Sequence, residues 1–231
     1  MTQIVVLSFI FLGVAALVSF SLFFFYGQKR MKQGERHYDF LSEFPFEYIR
    51  DGEEVSPLSR GLLIASLFFT MLQGAYMLLT KSMHEELFSF CVLYFVVLGL
   101  SFVFMLAVFL APAYHTKPHL AFFMIGGTLG VLSSILAAII FFNLSHIHLF
   151  LSTFFGIIMG IIAVAQFALL ANPKLSTWAK MRSSVDEDGN VVTSRPRPFV
   201  LAFTEWLLYF IGSGASFLSL VGFFVLCLLQ A

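Results

Sequence analysis

Residues 149–171 read LFLSTFFGIIMGIIAVAQFALLA, 23 residues in a row without an Asp, Glu, Lys, Arg or His. At about 1.5 Å of rise per residue, a helix of that length crosses the roughly 30 Å hydrocarbon core of a bilayer. A barrel strand would alternate apolar and polar residues over about ten positions. Here the apolar run is unbroken, as at Ile157-Ile158. The segment is therefore expected to be a transmembrane helix.

Five further segments pass the same test, at 4–26, 61–80, 87–110, 120–142 and 205–229, the last carrying one carboxylate, Glu205, at its margin. The composition agrees: of 231 residues 59% are hydrophobic and 11% charged, against about 45–50% and 25% in soluble domains. A soluble fold would lack the polar residues to coat itself. A soluble enzyme and a nucleic-acid-binding module are excluded on this ground. The expected fold is all-α, a six-helix polytopic bundle forming one membrane domain over 1–231 with the lipid bilayer as its solvent. The first span follows Met1-Thr2-Gln3, which has no basic side chain, and its apolar run exceeds the 7–15 residues of a signal peptide. It is expected to be retained as a helix.

The basic residues set the orientation. Twelve of the 13 Lys and Arg fall in three loops on one side, at 28–60, 115–119 and 172–198, and only Lys81 lies opposite. The positive-inside rule places those loops in the cytoplasm and both termini outside. A bacterial plasma membrane is the expected location. Tyr26 and Trp206 fall near the cytoplasmic span ends, where amphipathic rings favour the headgroup layer.

Helices in lipid are held by close packing and polar contacts, because the surrounding tails are as apolar as the side chains. Small residues recur every four positions at Gly126, Gly130, Ser134 and Ala138 in the fourth span, and at Ser152, Gly156 and Gly160 in the fifth. With only 143–148 between them, these two spans are expected to form a tight antiparallel hairpin. The sixth offers Gly212 and Ser216 on the same pattern. Intramembrane polar residues are costly and so point to function; here they are Gln73, Gln166 and Glu205. Gln166 and Glu205 both lie toward the cytoplasmic side, which suggests a bond between the fifth and sixth spans. A sixth helix starting at Glu205 makes that residue an interfacial anchor beside Trp206, the favoured placement. A start near Phe199 would bury it and demand a partner.

Among the loops, 28–60 opens with Lys29, Arg30 and Lys32 and then repeats Tyr38, Leu41, Phe44 and Tyr48 between Asp39, Glu43 and Glu47. That pattern, broken by Pro45, predicts two short amphipathic turns lying on the membrane with their acidic faces in water. An interfacial connector is the favoured role; a docking surface for a membrane or cytosolic partner, shared with 172–198, is the functional alternative. Asp188-Gly189 between β-branched residues predicts a hairpin. An EF-hand fails there, since the positions needing Gly and Glu hold Val191 and Arg197.

No HExxH, GxSxG, P-loop or CxxC occurs, and no residue pattern calls for a cofactor. His84, His146 and His148 on the outer face are weak candidates for a metal; the expectation is that none binds. His115 and His119 flank Pro118 and are read as turn residues. Cys91 and Cys227 are read as small apolar fillers. The function expected is a non-enzymatic membrane protein, a subunit or accessory of a larger complex. The alternative is a small-molecule or lipid transporter, and a lipid-modifying enzyme is third.

Overall fold

The computed structural model describes residues 3–34, 37–51, 54–79, 87–111, 116–177, 182–185, 191–194 and 196–230. Its helices are α1 (Gln3–Gln33), α2 (Pro45–Tyr48), α3 (Pro57–Leu79), α4 (Phe88–Leu110), α5 (Thr116–Asn143), α6 (Leu149–Leu170) and α7 (Val200–Gln230). All but α2 are long and apolar enough to cross a bilayer. The chain is an all-α bundle with six candidate spans. Two antiparallel hairpins complete it, β1 (Arg50–Asp51) with β2 (Glu54–Val55), and β3 (Arg182–Val185) with β4 (Val191–Ser194). The second pairs Val185 with Val191, so strands flank the Asp188-Gly189 stretch; residues 186–190 themselves lie outside the described set.

α1 and α7 each run 31 residues, about 46 Å by helical rise, and so outreach the hydrocarbon core. Because both overrun at the basic end, they form posts on which residues 37–56 settle. This segment differs from the two surface turns predicted. Only Pro45–Tyr48 is helical, and Phe44, Phe46, Tyr48 and Ile49 are buried rather than spread on the membrane. The acidic side chains do not face water in a row. Glu47 accepts from the Phe44 amide at 2.7 Å, Glu43 from the Asp39 amide at 3.2 Å, and Asp39 from the Leu41 amide at 3.1 Å. They cap local turns, a use of Asp and Glu that competes with an amphipathic helix.

The core falls into two clusters. One lies at the end holding both termini, around Phe9, Tyr94, Phe141, Phe155 and Phe223. Phe141 stacks on Phe223 at 4.3 Å and on Phe155 at 5.2 Å. The other fills the basic end, around Phe23, Tyr48, Phe109, Trp206 and Tyr209. Trp206 is 1% exposed, which overturns its expected place in the headgroup layer. Its indole N–H is satisfied inside the protein, donating to the Tyr38 hydroxyl at 2.9 Å and the Glu43 carbonyl at 3.2 Å.

The small residues do not all serve the α5–α6 contact. A Cβ on Gly156 would meet the Phe142 ring at 2.9 Å, and one on Gly127 would meet Leu170 at 2.8 Å. Gly126 instead faces Phe104 and Met105 of α4 at 3.1 Å. Gly160 has nothing within 4 Å. Only part of each four-residue stripe can meet one neighbour, because at 3.6 residues per turn each four-residue step winds about 40° further round the helix.

Candidate functional site

α7 starts at Val200, so Glu205 is five residues inside it, about 7.5 Å by helical rise. It is fully buried, and the interfacial placement is thereby corrected. An isolated carboxylate in so apolar a place is prohibitive. Its partner is His119, at the start of α5, with Nε2 2.9 Å from Glu205 Oε1. Gln166 is not that partner. On its other side His119 Nδ1 lies 2.7 Å from the carbonyl of Ala111, the residue that ends α4.

A carbonyl only accepts, so His119 Nδ1 carries a hydrogen and donates it. The 2.9 Å contact with Glu205 then holds one proton, on Nε2 or on Oε1. Both placements leave the pair with no net charge. His119 thus ties together the end of α4, the start of α5 and the buried carboxyl of α7. Phe44 and Phe46 close over it, with ring centroids 5.7 and 5.9 Å from the imidazole and both edge-on. Glu205 Oε2 is buried without a hydrogen-bond partner.

The covering segment is tied to α1 and to Phe199, the residue before α7. Arg30 of α1 donates to the carbonyls of Tyr48 and Ile49, the latter at 3.2 Å. Tyr48 donates to the Phe24 carbonyl at 2.8 Å, and the Phe199 amide to the Leu41 carbonyl at 2.8 Å. Gly27 makes room for the ring of Tyr48: a Cβ there would lie 2.4 Å from it. Burial pushes the Tyr48 phenol up to about 12, with Arg30 pulling the other way. Burial also raises Tyr38, while the Ser42 hydroxyl holds the Asp39 carboxyl below its ordinary value.

The other intramembrane polar residues sit apart. Gln166 accepts from Ser134 at 2.9 Å across α5–α6, and its amide nitrogen lies 3.6 and 3.8 Å from where Cβ atoms of Gly130 and Gly212 would be. Gln73 donates to the Phe9 carbonyl of α1 at 3.2 Å. Ser216 donates to the Ser213 carbonyl at 2.9 Å. None of Glu205, Gln166 and Gln73 contacts another.

The two described histidines between α5 and α6 serve the backbone. His148 caps α6 by accepting from the Leu151 amide at 3.3 Å, and His146 Nδ1 donates to the Asn143 carbonyl at 2.9 Å. His84 and His115 lie outside the described residues. Among the described residues no group of three His, Cys, Asp or Glu converges.

His119 carried no local signal, its partner being 86 positions away. α7 did carry one. Glu205, Tyr209, Gly212, Ser216 and Ser219 step along it at three- and four-residue intervals, an inward polar stripe in which Ser219 meets the Tyr94 hydroxyl. Against known families, characterised proteins and solved structures alike, the chain has no match.

Proposed function

We propose that this protein is a non-enzymatic multi-pass membrane component that presents a preformed face on its basic, cytoplasmic side to a protein partner. The observation that supports this is the build of residues 37–56. A mere connector from α1 to α3 needs no internal order. This one buries five of the six residues 44–49, takes hydrogen bonds from α1 and α7, and supplies the aromatic cover of the His119–Glu205 pair. Exposed on it are His37, Leu41, Glu54 and, at the start of α3, Leu58. Such pre-organisation lowers the ordering cost of binding.

The test is photo-cross-linking in native membranes from probes placed at His37, Leu41 and Glu54. One discrete heavier adduct, the same from all three positions and absent from a probe on lipid-facing Ile161, is the expected result. Uncross-linked monomer from every position would overturn the proposal.

A second role, passage or carriage of a small membrane-soluble molecule, is favoured by the cleft between α1, α3 and α7 described next. It needs no partner on the basic face.

A further inference from the structure

Between the two core clusters the bundle narrows to small and polar residues, and two cavities meet there. The outer one, about 230 Å³, is lined by α1, α3, α4 and α7, including Ala16, Ser66, Thr70 and Phe217. It opens toward lipid, where Leu17 is 44% and Phe210 40% exposed. The inner one, about 20 Å³, lies against Ser101, Gly130, Gln166, Tyr209 and Gly212. Leu67, Phe102 and Ser213 line both, so they form the shared wall. Among the described residues no Asp, Glu, Lys, Arg or His lines either cavity.

The hydrogen-bonding groups at this waist are unequally used. The serine hydrogens are committed: Ser101 donates to the Gly126 carbonyl at 2.9 Å, Ser134 to Gln166 Oε1 at 2.9 Å, and Ser216 to the Ser213 carbonyl at 2.9 Å. In the outer cleft Ser66 and Thr70 spend their hydrogens on helix carbonyls at 2.8 and 2.9 Å. Donors are left over. The Tyr209 hydroxyl is buried and makes no well-formed hydrogen bond among the described residues, its polar contact being the Ser213 hydroxyl one turn on. Gln166 turns its amide nitrogen to the inner chamber between two glycines. A buried donor with no acceptor costs free energy that a ligand can recover.

We infer that this waist is a binding site, entered sideways from the bilayer, for an uncharged membrane-soluble molecule with a carbonyl oxygen on an apolar body. The oxygen enters the inner chamber, whose volume is above the roughly 10–15 Å³ one water-sized group needs. There it accepts from Tyr209 and Gln166, while the body lies in the outer cleft and the adjoining lipid. A charged headgroup finds no counter-charge. A plain hydrocarbon leaves both donors unanswered. The site lies away from the basic face and stands independently of any partner there.

Decylubiquinone is the probe, titrated into nanodiscs holding the full chain with Trp178→Phe, so that Trp206 alone reports. Trp206 lies 6.2 Å from the Tyr209 ring, within quenching range of a bound quinone. Saturable quenching is expected, weakened at least tenfold by Tyr209→Phe and by Gln166→Leu, and abolished by Ser213→Leu, which fills the shared wall. Hexadecane and oleate are expected to displace the probe, read as recovered Trp206 emission, at least tenfold less well than the non-quenching ketone 2-tridecanone. Quenching that rises linearly without saturation, or equal affinity in Tyr209→Phe, overturns the inference. So does equal displacement by hexadecane or oleate. Should Gln166→Leu unfold by losing Ser134, Tyr209→Phe decides alone, since it keeps the ring on Phe109 at 4.8 Å.

Discussion

At the scale of single residues, the energetics concentrate on one proton between His119 and Glu205. Removing one partner of a buried pair leaves the other uncompensated, at about 3–5 kcal/mol, whereas replacing both by apolar groups is often near neutral. His119→Leu and Glu205→Leu should each lower stability by that order, and the double variant should recover most of it. Unfolding in mixed micelles measures this, and additive losses in the double variant would refute it. Glu205→Gln keeps a neutral donor for His119 Nε2 and should cost only about 1 kcal/mol. Tyr48 gives a pH test. Burial pushes its phenol up to about 12 in the folded chain, against an ordinary value of 10. At Tyr48 the unfolded chain therefore binds fewer protons between those values, and the stability this residue contributes should be constant below pH 10 and fall from 10 to 12. Tyr48→Phe should flatten that fall, read by denaturation at stepped pH. Of these residues Glu205 was visible in the sequence as the one carboxylate within a predicted span. His119 was not, because Pro118 gave it an adequate local role and its partner lies on another helix.

At the scale of elements, glycine acts by absence in two different ways. Gly27 lies one helical face from the Tyr48 ring, and Gly27→Val should expel that ring and release residues 37–56. Limited proteolysis between 37 and 56 should then quicken at least tenfold while the spans stay protected; unchanged cleavage would contradict the tie. In α6, Gly156→Val must displace the Phe142 ring and should lower stability by about 1–3 kcal/mol, the usual cost of overpacking. Gly160→Ala, with open space around it, should leave stability unchanged within about 0.5 kcal/mol. Thermal unfolding of the two variants side by side decides. The four-residue spacing of these glycines was plain in the sequence, but not which of them touches a neighbour. Spacing fixes the face of a helix; the crossing angle and the partner's side chains fix the contact.

At the scale of the whole molecule, six spans put both termini at one end and the 37–56 segment and the β3–β4 hairpin at the other. Tags on the two termini should both be cut by external protease in intact cells, while one inserted at 188–189 should be cut only after permeabilisation. Opposite exposure would reverse the orientation drawn from the basic loops. Solvation by lipid, the span number and the sidedness of charge are written in composition and run length, because the bilayer acts on each segment independently of its neighbours. The chain alone also marked Glu205, Gln166 and Gln73 as the polar residues to explain. It could not assign His119 to Glu205, Ser134 to Gln166 or Phe9 to Gln73, fold 37–56 inward, or open a donor-rich waist between two aromatic cores. Those are matters of which side chains meet across 32 to 168 positions of chain, and only the packed tertiary structure, where burial makes every unpaired polar group costly, selects them.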